Sequence, residues 1–264
     1  MVEQGLRARA LHTICEEGCC PNRGECFSRG VATMLIMGRI CTRDCRFCAV
    51  ATGRPEPLDP AEPDRVAGQV EALGLKFVVL TSVTRDDLPD GGAGHFAATV
   101  RALAGKCPGV GVEILVPDFK GSPRALETVL AAGPQVLAHN VETVPRLYPA
   151  VRPQAKYRRS LELLERAASH GGGAVKSGIM LGLGEEAQEV EAVLADLLRA
   201  GCAIITLGQY LAPSARHHPV VEYVTPRRFK ELEGVALAMG FKAVASGPFV
   251  RSSYLAEKYY ALSR

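Results

Sequence analysis

Six of the nine cysteines stand in two triplets, Cys15, Cys20 and Cys26 followed by Cys41, Cys45 and Cys48. The second, C-T-R-D-C-R-F-C, has C-x3-C-x2-C spacing, short enough for one loop to wrap one corner of a metal cluster. Three thiolates on a four-iron cluster leave one iron open to a further ligand. A structural zinc site closes with four ligands, ordinarily two Cys or His pairs set apart in sequence, and no second pair follows here. Disulfide frameworks belong to small secreted chains. A chain of 264 residues with an odd number of cysteines and no secretory signal is expected in a reducing compartment. Soft thiolates at short spacing therefore read as iron–sulfur ligands.

The composition frames that chemistry. With 47% hydrophobic and 22% charged residues and no Trp, the sequence reads as one soluble globular domain with a large core. No apolar run reaches the ~18 residues a membrane span needs, so a cytoplasmic protein is expected. A net charge of +3 with scattered cations gives no nucleic-acid footprint. The one dense basic stretch, Arg152 with Lys156, Arg158 and Arg159, reads either as a solvated helix start or as a receiver for an acidic partner or a carboxylate.

The elements that must position the cysteines alternate in type. Apolar, β-branched runs predict buried strands at Thr33–Ile40, Phe77–Val83, Val112–Val116, Gln135–His139, Val175–Leu181 and Ala203–Leu207. Helical patterns lie between and after them. Pro123–Ala132 follows Ser122 and stops at Gly133, Ser160–His170 runs into three glycines, Glu185–Ala200 stops at Gly201, and Pro226–Met239 stops at Gly240. Such alternation implies a parallel sheet with right-handed crossovers. The expected fold class is α/β, a partial (β/α)6 TIM-like barrel. In such barrels chemistry sits on the loops at the C-terminal strand ends, and the second triplet follows the first strand directly.

C-x3-C-x2-C after the first strand of a six-unit βα barrel resembles the radical S-adenosylmethionine (SAM) enzymes, and Phe47 supplies the aromatic residue common before the last cysteine. The first triplet, C-x4-C-x5-C, resembles the auxiliary-cluster motif of lipoyl synthases. T-S-V-T-R-D-D-L-P-D-G-G-A-G-H-F from Thr81, H-N-V-E-T-V from His139, K-S-G-I-M-L-G-L-G-E from Lys176, L-G-Q-Y-L-A-P-S from Leu207 and S-G-P-F-V-R-S-S-Y from Ser246 resemble the same family.

The resemblance implies two 4Fe-4S clusters. One is held by Cys41, Cys45 and Cys48 and leaves an iron for the amino and carboxylate groups of SAM. The other is held by Cys15, Cys20 and Cys26 with a serine of R-S-S-Y, here Ser253, with Ser252 as second choice. The implied reaction is sulfur insertion at C6 and C8 of an octanoyl chain on a lipoyl carrier domain, with two SAM molecules per lipoyl group and sulfur drawn from the auxiliary cluster. Implied partners are octanoylated 2-oxoacid dehydrogenase E2 subunits and the glycine cleavage H protein, an electron donor such as ferredoxin or flavodoxin, and a cluster-assembly carrier.

Thr81 and Ser82 are candidates for contact with the SAM amino group, Asn140 and Glu142 for ribose hydroxyls or the amine, and Lys176 and Arg159 for the methionyl carboxylate. The turn Gly182–Gly184 is expected to let backbone approach the nucleoside. The expected segments are 1–30 for the auxiliary cluster, 31–240 for the barrel and 241–264 for a tail with the serine motif. The rival readings, another two-cluster sulfur inserter or methylthiotransferase and a small electron carrier, call for an RNA-binding module, a different auxiliary motif or a far shorter chain.

Other residues carry plainer readings. Cys19 is a spectator beside Cys20, and Cys107 and Cys202 are packing residues. His217 and His218 are surface or substrate-loop residues rather than a metal site. Asp86, Asp87 and Asp90 cap a loop or touch substrate, since their spacing does not fit an EF-hand.

Overall fold

A computed structural model describes residues 2–264, which fall into two compact units: residues 2–43 with 49–135, and residues 44–48 with 136–264. The passage from one unit to the other occurs inside the second cysteine triplet.

The first unit opens with α1 (Val2–Ala8), a short strand β1 (His12–Thr13), α2 (Ile14–Glu17) and α3 (Arg23–Ser28). Then come β2 (Thr33–Ile36), β3 (Ile40–Cys41), β4 (Ala51–Thr52), α4 (Glu62–Leu73), β5 (Phe77–Ser82), α5 (Ala93–Lys106), β6 (Gly111–Leu115) and α6 (Pro123–Leu130). β2 pairs in parallel with β5 from Thr33↔Val79 to Ile36↔Ser82, β5 in parallel with β6, and β1 runs antiparallel to β2. The β2 residues are buried throughout, as expected of a strand covered on both faces.

The strand expected over Thr33–Ile40 stops at Ile36. Met37 and Gly38 take positive φ, 68° and 85°, and turn the chain before β3 carries it to Cys41. Glu62 holds that turn, its carboxylate accepting the Met37 N–H at 2.8 Å and facing His95 Nε2 at 2.7 Å. A non-glycine residue in the left-handed region carries strain, and such strain persists where the surroundings over-determine it.

The second unit contains β7 (Val136–Ala138), α7 (Tyr148–Val151), α8 (Tyr157–His170), β8 (Ala174–Leu181), α9 (Ala187–Arg199), β9 (Ile204–Gln209), α10 (Pro226–Met239), β10 (Ala243–Gly247) and α11 (Ala256–Ser263). β7, β8, β9 and β10 pair in that order and all in parallel. The fold class read from the sequence, α/β with parallel strands, holds in both units.

The sequence missed β10, because A-V-A-S-G offers little β-branched mass; only pairing with β9 from Ala243↔Ile204 to Gly247↔Gly208 makes it a strand. α4 and α5 also went unread. The caps behave as their residue types predict: Ser122 and Thr225 accept the Ala125 and Arg228 N–H groups, each before a Pro at the first turn. Two helix starts differ from expectation. α8 opens at Tyr157, leaving Ser160 to bond His139, and α9 opens at Ala187 behind a Glu186–Glu189 capping box. No described helix is long and apolar enough to cross a membrane.

Candidate iron–sulfur and SAM site

Cys41 ends β3, whose two-residue ladder with β4 (Ile40↔Ala51, Cys41↔Thr52) closes the cysteine loop at its base. The Cys41 sulfur accepts the backbone N–H groups of Arg43 at 3.4 Å and Thr84 at 3.3 Å. Two backbone N–H groups thus converge on the sulfur and fix its orientation.

The loop after β5 is built into the cysteine loop at several further points. Thr42 donates through both N–H and hydroxyl to the Thr84 carbonyl, and its hydroxyl accepts the Asp86 N–H. Arg43, 6% exposed, lays its guanidinium on Asp86 (2.7 and 3.0 Å) and on the fully buried Asp118 (2.7 Å). Burial opposes its charge, but the bonds and charges of the two carboxylates more than offset that cost and raise its pKa. The acidic run is thus structural: Asp86 clamps Arg43, Asp87 clamps Arg85, and Asp90 accepts the N–H groups of Gly92 and Gly94 at the start of α5.

Cys45 and Cys48 lie in the second unit, with Cys48 N–H donating to the Cys45 carbonyl. Their stretch is strapped by the segment after β9. His217 Nε2 bonds the Cys48 carbonyl at 3.0 Å while its Nδ1 faces the Ser214 hydroxyl at 2.9 Å. The His218 N–H donates to the Arg46 carbonyl, its Nε2 bonds the Leu183 carbonyl, and the Tyr210 hydroxyl donates to its carbonyl oxygen. Arg46 N–H adds a bond to the Val151 carbonyl. The two histidines, expected as surface or substrate-loop residues, are half-buried in the loop after β9 and there bond backbone carbonyls. Sequence reasoning missed these bonds because each histidine spends its Nε2 on a backbone carbonyl, which carries no residue signature.

Among the described residues no three His, Cys, Asp or Glu side chains gather as a site for a single metal ion. The first triplet nevertheless acts as a group. Cys26 is pushed up to about 11, first by burial and then by repulsion from Cys15 and Cys20. Cys15 is likewise raised by burial, with Thr33 pulling it down and Cys20 pushing it up. Thiols whose charges repel one another are a donor set that a cationic iron centre would stabilise. Cys19 is exposed, at φ 49°, and contributes to neither shift, in keeping with a spectator.

The candidate SAM residues sort differently. Ser82, the last residue of β5, holds a buried hydroxyl with no partner, whereas the Thr81 hydroxyl is spent on the Leu115 carbonyl. Beyond β7, Asn140 is 7% exposed and its Oδ1 is buried without a partner. A Cβ at Gly178 would stand 2.9 Å from that oxygen, so the glycine leaves a notch beneath it. Glu142, at φ 67°, is pinned to β8 by its N–H to the Gly178 carbonyl and by Met180 N–H to its own carbonyl. Burial raises its carboxyl pKa, against the opposing pull of Arg152 and Asn140.

Two further candidates lie on β8 and α8. Lys176 is the third residue of β8, five residues or roughly 16 Å below the strand's C-terminal end, and 1% exposed. Arg159 lies in the first turn of α8, which follows the loop after β7. The turn Gly182–Gly184 does not open toward a nucleoside at Gly182. A Cβ there would meet Gln209 Nε2 and the Glu222 carbonyl, each at 2.3 Å, and Glu185 caps the Gly182 and Leu183 N–H groups.

The tail joins the same region of the second unit. A Cβ at Gly208 would stand 2.2 Å from the Val250 carbonyl oxygen, so L-G-Q-Y and S-G-P-F-V-R-S-S-Y pack backbone to backbone. Asn140 Nδ2 donates to Ser252 Oγ at 2.5 Å, while the Ser253 hydroxyl makes no hydrogen bond among the described residues.

A family profile for the radical SAM superfamily matches residues 35–197. The chain is also 56% identical over 264 residues to a lipoyl synthase of Caldanaerobacter subterraneus subsp. tengcongensis, covering 100% of this chain and 93% of the relative. The chain belongs to the lipoyl synthase family of radical SAM enzymes. A lipoyl synthase of Methylococcus capsulatus is 56% identical over 99% of this chain and 82% of its own length. Among solved structures, the FeFe-hydrogenase maturase HydG from Carboxydothermus hydrogenoformans is similar with a TM-score of 0.65 at 16% identity. The match covers 86% of this chain and 55% of that one, so the chain spans about half of that protein. At such identity the likeness shows the fold alone. Membership of the lipoyl synthase family rests on the sequence relatives, and it makes the chain an enzyme that takes a 4Fe-4S cluster and SAM.

Proposed function

We propose that the chain inserts two sulfur atoms at C6 and C8 of an octanoyl group carried on lipoyl carrier domains. The observation that carries this reading is the identity of 53–56% to lipoyl synthases over nearly the whole chain, a span that includes both cysteine triplets. Neither carbon of the alkyl chain is activated, so no side-chain base of ordinary pKa removes its hydrogens. The bound clusters and SAM supply the one-electron cleavage, the hydrogen-abstracting radical and the sulfur.

This chain's own residues hold and orient. Cys41, Cys45 and Cys48 are three thiolates for the SAM cluster, supported by the N–H donors of Arg43 and Thr84 on Cys41 and the histidine strap on Cys48. Ser82 and Asn140 offer unsatisfied polar atoms for SAM, with Glu142 beside Asn140. Arg159 and Lys176 are the cationic candidates for the methionyl carboxylate, and Thr81, its hydroxyl on the Leu115 carbonyl, supports Ser82. Cys15, Cys20 and Cys26 hold the auxiliary cluster, with Ser253 as fourth ligand. The engagement of Ser252 by Asn140 supports that order of choice. Serine oxygen is a harder and less usual partner for iron than thiolate, so Ser253 would hold its corner more weakly than the three cysteines hold theirs. Carriers of the E2 and H-protein type, a ferredoxin or flavodoxin, and a cluster-assembly carrier complete the cycle in the cytoplasm.

The test is mass spectrometry of an octanoyl-lysyl carrier peptide after incubation with reconstituted enzyme, SAM and reductant. A gain of two sulfurs is expected. Iron should fall from about eight per chain to about four when Cys15, Cys20 and Cys26 become Ala. Cys41→Ala should abolish SAM cleavage, and Ser253→Ala should keep cleavage and lose sulfur insertion. A chain that never holds more than one cluster overturns the proposal.

A further inference from the structure

The tail motif and the loop after β7 meet through one side chain. Both amide hydrogens of Asn140 are committed, one to Glu142 Oε1 at 3.1 Å and one to Ser252 Oγ at 2.5 Å. The amide oxygen is buried, without a partner, over the notch that Gly178 leaves. A primary amide has two faces that look alike in shape and are opposite in chemistry, and its hydrogen-bond partners decide which is presented. With two acceptors on its nitrogen, Asn140 presents an acceptor and not a donor. The peptide carbonyl of Asn140 is fixed as well, taking Arg152 Nη1 at 2.9 Å.

We propose that Ser252 is a positioning residue that sets the orientation of the Asn140 amide and thereby couples docking of the R-S-S-Y tail to binding of a donor group, a ribose hydroxyl or ammonium, at Asn140 Oδ1. The inference rests on the reading of Asn140 as a SAM contact. The neighbouring serines then have separate tasks: Ser253 is the candidate iron ligand, and Ser252 reports the tail's position to the nucleoside site. When the tail is displaced the amide loses one of its two acceptors, Glu142 alone holds its orientation, and the acceptor face is presented less firmly. SAM is thus held well only when the tail that completes the auxiliary centre is in place. That arrangement would suppress SAM cleavage without sulfur transfer.

The test compares wild type, Ser252→Ala, Ser252→Thr, Asn140→Ala and the double variant, all reconstituted. Losing one net hydrogen bond predicts SAM binding weakened about tenfold in Ser252→Ala, with iron still about eight per chain. Ser252→Thr, which keeps the hydroxyl, should recover to within about twofold. The double variant should bind SAM no more weakly than Asn140→Ala alone, since both changes break one link. Deoxyadenosine formed per lipoyl group should rise severalfold in Ser252→Ala. SAM should slow amide hydrogen exchange at residues 251–255 in the wild type and leave it unchanged in Ser252→Ala, a readout independent of turnover.

Wild-type SAM affinity in Ser252→Ala, additive effects in the double variant, or an iron content near four would each overturn the inference. If Ser252→Ala does not fold, the Asn140→Ala exchange pattern decides the matter in the same way. Failure of the wild type to insert sulfur, with the affinity and exchange effects intact, would strike the proposed reaction and leave the coupling standing.

Discussion

His217 Nε2 stands 3.0 Å from the carbonyl oxygen of Cys48, a residue 169 positions earlier in the chain. The same imidazole faces Ser214 through Nδ1, and a carbonyl can only accept, so Nε2 carries the proton and Nδ1 accepts from the serine hydroxyl. The bond fixes the backbone that presents the last thiolate of the second triplet, and His218 fixes Arg46 two residues before it.

His217→Ala should therefore load iron normally and hold it less well. The net loss of one hydrogen bond is about 1 kcal/mol, several-fold in a rate or an equilibrium. The measurement is the rate of iron loss from the SAM cluster to a chelator in a variant lacking the auxiliary cysteines. A rate equal to that of the parent would remove His217 from any part in holding the loop.

Arg43, Asp86 and Asp118 form a buried charge cluster, and removing one member weakens the compensation of those that remain. Asp118→Ala or Arg43→Ala should lower stability by about 3–5 kcal/mol, read as a drop in the urea midpoint. Arg43→Lys should recover only part of that, because an ammonium cannot span Asp86 and Asp118 with a planar fork. Full recovery in Arg43→Lys would mean that charge alone, and not the fork geometry, holds the cysteine loop.

The glycines give a prediction with opposite signs. Gly182→Ala combines φ +94° with a contact of 2.3 Å to the Glu222 backbone, so it should cost at least about 1 kcal/mol. Gly234 lies inside α10 with nothing within 4 Å of an added Cβ, and Gly234→Ala should stabilise by roughly 0.5–1 kcal/mol. Thermal melts of the two variants check both signs. A neutral Gly182→Ala would place the turn in a looser environment than the structure has.

The first triplet carries a pH signature. Cys26 titrates at about 11 in the folded apoprotein, above the value of an ordinary thiol, so the folded state binds more protons than the unfolded state between about pH 9 and 11. That contribution is present in full below pH 9 and is lost as pH rises through 11. Apoprotein stability should fall across that window, and less steeply in a Cys26→Ser variant. Loading the auxiliary cluster must expel the thiol protons, so reconstitution near pH 7 should release protons to a weak buffer and tighten with rising pH. Proton release unchanged after Cys15, Cys20 and Cys26 are replaced would argue against that assignment.

How much of the site the sequence discloses depends on the kind of signal. Thiolate spacing is local and chemically narrow, so Cys41, Cys45 and Cys48 can be read without knowing where anything else lies. The parallel α/β class follows from strands too apolar to face water on either side, alternating with capped helices. The strand edges, the small-residue strand Ala243–Gly247 and the true start of α8 were not legible, because pairing partners and buried side-chain bonds decide them rather than local propensity.

By itself the sequence offered the candidate ligands, because metal chemistry selects residue types and short spacing brings them together within one loop. Tertiary structure alone decided what holds and orients them. Arg43 meets Asp118 across 75 residues, His217 meets Cys48 across 169 and Asn140 meets Ser252 across 112. These are ordinary polar residues whose roles come from a partner, and a hydrogen bond exists only once two distant segments are within about 3 Å of each other. For the same reason Gly182, which the sequence offered as an approach for a nucleoside, serves in the folded chain to admit Gln209 and Glu222.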